Sequence, residues 1–240
     1  MNINKNQRIH IIGIGGIGMS GIAEILDGLK YQVQGSDLLE NANVKRLKKR
    51  KIKIFIGHKK SNIKNTDIVV YSSAINKTNP EIKYAIQKEI PIISRSEILS
   101  QIVKLKKTIS ISGSHGKTTT TTMISSILNH LKLSPTVING GIINEYGTNT
   151  KLGRGEWMVV EADESDGTFI KLQSTIAVVT NIDKEHIEFY GSFDNLKKSF
   201  KKFITQIPFY GFAVVCLDNK HINSIVSKIY STNIITYGPK

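Results

Sequence analysis

The stretch Ser110-Ile111-Ser112-Gly113-Ser114-His115-Gly116-Lys117-Thr118-Thr119-Thr120 constrains this chain more than any other. It reads as a short strand, a glycine turn, a lysine and a run of hydroxyl residues that opens a helix. Glycines let backbone N–H groups curl around phosphate oxygens, and the first helical turn adds its partial positive charge. Lys117 is spaced to reach the β- and γ-phosphates of a nucleotide, and Thr118 offers a hydroxyl to Mg2+. One place departs from the full phosphate-loop pattern: the glycine expected five residues before Gly116 is Ile111. A bare Gly-Lys-Thr also arises as a simple turn and helix cap. The strand before it and the helix after it are what separate the two readings.

A second glycine loop lies near the start. A short apolar strand over 8–12 ends at Gly13-Ile14-Gly15-Gly16-Ile17-Gly18, and helical spacing follows in Met19, Ile22, Ala23, Ile25, Leu26 and Leu29. A strand over 31–34 then leads into Gly35-Ser36-Asp37, with Asp37 placed 19 residues after Gly18. Three glycines at this spacing, followed at about 20 residues by an acid for a ribose hydroxyl, form a dinucleotide fingerprint. It implies a diphosphate-containing ligand without saying which.

The same rhythm fills the rest of the chain. Helix is expected over 44–51, strand over 52–56, a buried parallel strand over 67–71, helix over 80–88, strand over 91–94, and helix over 96–105 capped by Ser96. Ser72-Ser73-Ala74-Ile75 falls at the carboxyl end of a strand, where open α/β sheets bind ligands. Lys104-Leu105-Lys106-Lys107 reads as a boundary. Beyond it come strand 108–112, helix 118–132, strand 136–138 leading to Asn139-Gly140-Gly141, strands 157–160 and 175–180, helix 193–207, strand 212–217, helix 219–229 and strand 234–237. The expected fold class is α/β: a Rossmann-like, doubly wound parallel sheet over residues 1–106, then a P-loop-type α/β nucleotide domain over 107–240.

Composition excludes several classes. The net charge is +14, from 33 basic and 19 acidic residues. No aromatic platform, zinc spacing or helix-turn-helix pattern accompanies the lysine clusters, so the reading is no nucleic acid but attraction for anionic ligands. The single cysteine, Cys216, rules out a disulfide framework within one chain and sits in an apolar run that suits a buried structural thiol. The apolar run after Arg8 carries phosphate-loop glycines and ends short of a bilayer span, so no membrane insertion and a cytoplasmic protein are expected. Oligomeric state is not legible.

Acids complete the picture. Glu161-Ala162-Asp163-Glu164-Ser165-Asp166 follows an apolar strand, which puts Glu161 where a nucleotide enzyme holds Mg2+. His186 follows a second apolar strand on the same sheet edge and is a candidate second ligand.

Taken together these motifs resemble the Mur ligase family of peptidoglycan synthesis, over essentially all of the chain and in the family's motif order. The resemblance implies the first domain and most of the second of a three-domain, ATP-dependent carboxylate–amine ligase. In that reading Gly13, Gly15, Gly16, Ile17, Gly18, Met19, Ser36, Asp37 and Ser73 bind a UDP-sugar, UDP-N-acetylmuramate, in place of a nicotinamide. Gly113, Ser114, His115, Gly116, Lys117, Thr118 and Thr119 bind ATP, and Thr118, Glu161 and His186 hold the metal. Lys117, His115, Glu161 and His186 serve catalysis, and L-alanine supplies the amine. Ser114 stands where the family usually has threonine, and Glu185 where it has aspartate. The third domain is expected to lie outside these 240 residues, leaving the chain inactive alone. The alternatives are a recycling ligase that adds a tripeptide to the same sugar nucleotide, or an NAD-binding module built on Gly13–Gly18.

Overall fold

A computed structural model describes residues 4–72, 74–143, 148–165 and 167–238. The chain divides into two compact units, Met1–Ile102 with Asn144–Leu152, and Val103–Ile143 with Gly153–Lys240.

In the first unit the apolar periodicity produces β1 (Arg8–Ile12), α1 (Ile17–Gly28), β2 (Gln32–Asp37), α2 (Ala42–Lys49), β3 (Lys53–Ile56), β4 (Ile68–Tyr71), α3 (Pro80–Gln87), β5 (Ile92–Ser94) and α4 (Arg95–Val103). The five strands are parallel in the order β3-β2-β1-β4-β5. Strand order reverses at β1, so a crevice opens beyond the carboxyl end of β1, where the glycine loop begins. Ile68, Val69 and Val70 are fully buried, as a continuous apolar run in a parallel sheet should be.

The second unit runs β6 (Lys107–Ser112), α5 (Lys117–His130) and β7 (Thr136–Ile143). After β8 (Thr148–Lys151), which packs on α1, come β9 (Trp157–Glu161), β10 (Ile176–Val179), α6 (Ile187–Tyr190), α7 (Phe193–Thr205), β11 (Phe212–Cys216), α8 (Lys220–Val226) and β12 (Ile234–Tyr237). Its strands pair in parallel in the order β12-β11-β10-β6-β9-β7. The switch point is β6, flanked by β9 and β10. Register sets Ile111 beside Glu161 and Ser112 beside Val179, so the ends of all three strands converge on the phosphate loop. On α7, Leu196, Phe200, Phe203 and Ile204 are buried at helical spacing, and Phe169 packs on both phenylalanines with ring centroids 5.1 and 5.2 Å away.

Three local expectations are corrected, and one strand had none. The cap of α4 is Ser94, whose hydroxyl accepts from the Glu97 amide while Glu97 accepts from the Ser94 amide, a reciprocal capping box; Ser96 lies inside the helix. The strand expected to end at 138 runs on through Asn139-Gly140-Gly141 as part of β7, with the Gly140 amide directed at the Glu161 carboxylate. Strand β8 carries no apolar alternation in Thr148-Asn149-Thr150-Lys151 and gave no periodic signal. Cys216 is only partly buried and faces the Tyr237 hydroxyl. The lysine-rich stretch at the boundary also holds a built contact: Lys106 Nζ donates to Thr136 Oγ1 and to the carbonyls of Gly153 and Gly155 at 2.9, 3.0 and 2.6 Å, and burial pulls its pKa down.

Candidate active site

The phosphate loop is held from both sides. Gly113 adopts φ +139° and Gly116 φ +80°, and a Cβ on Gly113 would come 2.1 Å from Thr180 Oγ1, so only glycine serves there. The segment after β10 clasps the loop. The Asn181 side chain accepts from the His115 amide at 2.8 Å and donates to the His115 carbonyl at 3.0 Å, and Thr180 Oγ1 donates to the same carbonyl at 2.7 Å. Ser114 Oγ accepts from the Asp183 amide at 2.9 Å.

Two acids divide the loop's donors between them. Thr118 Oγ1 and the Gly140 amide both donate to Glu161 Oε2, each at 2.9 Å. Lys117 Nζ instead donates to Glu164 Oε1 at 3.0 Å and to the Gly113 carbonyl at 2.7 Å. Glu164 is 1% exposed, and its Oε2 has no hydrogen-bond partner among the described residues. Burial raises its pKa, against the opposing pull of Lys117. Its carbonyl is held by the Tyr190 hydroxyl.

His186 sits at φ +54°, a left-handed conformation costly for a histidine. Its Nε2 lies 4.0 Å from Glu164 Oε1, and the ligand atoms of Glu164, Glu185 and His186 lie within 4.8 Å of one another. His115 Nε2 is 3.3 Å from Asp183 Oδ2 and 3.6 Å from Glu185 Oε1, with its ring largely exposed. Among the described contacts, His186 therefore keeps company with Glu164 and Glu185, while Thr118 and Glu161 form their own pair. A hydroxyl and carboxylate oxygens are the hard donors that Mg2+ takes, and a buried, unpartnered carboxylate oxygen suits a nearby cation, so the donor set fits the metal.

The first unit builds a separate cradle. The Ser36 carbonyl accepts from the amides of Gly13 and Ile14 at 2.8 and 3.1 Å, and Asp37 Oδ2 accepts from the Gly15 amide at 2.8 Å. Asn41 and Asn43 donate to the Gly15 carbonyl at 3.1 and 2.8 Å. Gly16 precedes α1 without a side-chain cap, which leaves the first amides of the helix for a ligand. The Arg95 guanidinium lies across this terminus: a Cβ on Gly18 would meet it at 2.7 Å. Ile17 is exposed, Met19 packs into the core, and the Ser36 hydroxyl is buried and committed to Glu81. Ser73 lies outside the described residues.

Sequence reasoning missed Glu164, Asn181, Gly140 and Arg95 as site residues. Glu164 and Asn181 stand inside motifs already singled out by position. Arg95 has no sequence signal, since its place depends on β5 ending beside the glycine loop.

Residues 8–107 match the model of the Mur ligase family, catalytic domain, and residues 111–240 that of the Mur ligase middle domain. A UDP-N-acetylmuramate–L-alanine ligase of Mesorhizobium japonicum is 55% identical over 230 residues, 96% of this chain and 49% of that protein. The ligase of the same name from Sinorhizobium medicae is also 55% identical with the same coverage. A solved UDP-N-acetylmuramate-alanine ligase from Thermotoga maritima is similar with a TM-score of 0.82 at 30% identity, over 98% of this chain and 53% of that one. The chain thus spans about half the length of the curated relatives it matches.

Proposed function

The chain belongs to the Mur ligase family, and we propose from that premise that it forms the sugar-nucleotide and ATP sites of a UDP-N-acetylmuramate–L-alanine ligase. Residues 1–106 take UDP-N-acetylmuramate and 107–240 take ATP. The overall reaction is attack of the lactyl carboxylate on the γ-phosphate, giving an acyl phosphate and ADP, followed by displacement of phosphate by the amine of L-alanine. Cytoplasmic precursor synthesis for peptidoglycan is the setting; no described helix is long and apolar enough to cross a membrane.

The observation that carries this reading is the Thr118–Glu161 contact at the shared end of β6 and β9, one residue from Lys117. Two anions must approach each other in the first step, so the protein's task is neutralisation and alignment. Thr118 and Glu161 would hold Mg2+, with Glu164, Glu185 and His186 a second group of candidate ligands, and the ion when bound supplies charge neutralisation at the phosphate oxygens. The Lys117 amine exchanges its loop carbonyl and Glu164 for phosphate oxygens. The amides of Gly116, Lys117, Thr118 and Thr119 orient the phosphates, those of Ser114 and His115 being taken by Asn181, and His115 is exposed at the loop's tip beside Asp183 and Glu185. In the first unit Arg95 and the open amides of α1 meet the diphosphate, while Asp37, Asn41 and Asn43 keep the glycine loop in shape.

The test is calorimetric titration of the chain with ATP and Mg2+, UDP-N-acetylmuramate and NADH. Binding of the first two and neglect of NADH is expected; NADH binding without UDP-sugar binding would overturn the proposal in favour of a nicotinamide module. Competition between L-alanine and a tripeptide amine, on a protein of the relatives' full length, separates this ligase from a recycling ligase.

A further inference from the structure

Beneath the glycine loop lies a cluster of ionisable groups that the proposed reaction does not use. Glu81, the second residue of α3, is fully buried. It accepts from Ser36 Oγ and Asn62 Nδ2, both at 2.6 Å, and from the Lys59 amide at 3.3 Å. Two imidazoles face it: His10 Nε2 and His58 Nδ1 each stand 3.4 Å from Oε2. Gln34 Nε2 approaches His10 Nδ1 at 3.3 Å and also lies within donating distance of Asn62 O and Thr66 Oγ1. His58 Nδ1 contacts Ser36 Oγ at 3.0 Å, and since that hydroxyl donates to Glu81, the imidazole donates to it. Ser36, Asn62 and the Lys59 amide thus present donors to the carboxylate, the arrangement a buried anion requires.

The cluster touches the ligand loop at one residue. Ser36 gives its hydroxyl to Glu81 and its carbonyl to the amides of Gly13 and Ile14, and the next residue, Asp37, takes the Gly15 amide.

We propose that Glu81 is a positioning residue for the first cradle: a buried anion that, through Ser36, fixes the end of β2 and with it the glycine loop and Asp37 in the shape that binds the sugar nucleotide. This rests on the reading of that loop as the UDP-N-acetylmuramate site. Glu81 does not touch the ligand; it sets the affinity of a site it underlies. A merely structural role would lower stability and leave the loop's own behaviour unchanged.

A double-mutant cycle tests it on the chain as it stands, with E81Q, S36A and the double variant. Two readouts are followed: hydrogen exchange at the Gly13, Ile14 and Gly15 amides, and affinity for UDP-N-acetylmuramate, with ATP affinity as the internal control. Each single change should speed exchange and weaken the sugar nucleotide about tenfold, the double variant no more than the worse single, and ATP should be unaffected. Unchanged exchange and affinity despite a lowered Tm, or losses that add in the double variant, would overturn the proposal. If E81Q does not fold, S36A alone decides, since it cuts the link and keeps the anion. If the parent chain does not bind UDP-N-acetylmuramate, the ligand assignment fails, and the exchange rates still settle whether Glu81 governs the loop.

Discussion

At the scale of single residues, the second unit separates two carboxylates by role. Glu161 accepts from Thr118 and Gly140, whereas the buried Glu164 holds the lysine of the loop. Lys117→Ala should weaken ATP more than about a hundredfold, because a desolvated cation-to-phosphate contact is lost, and calorimetry would read this directly. Glu161→Gln should leave ATP binding measurable and abolish its dependence on Mg2+, which a titration with and without the ion checks. In the first unit Arg95→Ala should weaken UDP-N-acetylmuramate about tenfold and reduce the salt dependence of its binding, which titration at two salt concentrations checks. Glu81 gives a pH signature. Burial pushes its pKa up, but hydrogen bonds from His10, Ser36 and Asn62 outweigh this and leave it below the ordinary value of 4.5. Its contribution to stability is therefore complete above that value and lost as pH falls through the folded pKa. The difference in Tm between the parent chain and Glu81→Gln should shrink as pH is lowered below 4.5, and a constant difference would contradict the ionised form.

At the scale of elements, stability and site geometry come from different places. The α7 face is a packing device: Phe200 and Phe203 close over Phe169, all three buried. Phe200→Ala should cost about 3–5 kcal/mol in denaturant unfolding while nucleotide affinity per folded molecule stays the same. The Ser94–Glu97 capping box starts α4, of which Arg95 is the first residue. Ser94→Ala should cost about 1 kcal/mol and also weaken UDP-N-acetylmuramate, because the cap fixes where the guanidinium emerges. The paired readouts, Tm and affinity, distinguish a cap that serves the site from one that serves the helix alone.

At the scale of the whole molecule, two parallel sheets each place a glycine loop at a reversal of strand order, β1 in one and β6 in the other. Substitutions in one unit should leave the other unit's nucleotide untouched, so Lys117→Ala should spare UDP-N-acetylmuramate and Arg95→Ala should spare ATP. The sequence by itself determined the α/β class, most strands and helices, both glycine loops and the pairing of Glu161 with the phosphate loop. These features are local: period-2 and period-3.6 apolar patterns, glycines at turns and acids at strand ends all report on neighbours within one element. What only the tertiary structure decided is which distant groups meet. Glu164 took Lys117, His186 joined Glu164 and Glu185, Arg95 covered Gly18, and Glu81 came to lie under Ser36. Each of these contacts depends on strand order and register, as when β9 inserts between β6 and β7, and no spacing along the chain encodes which strands will lie side by side.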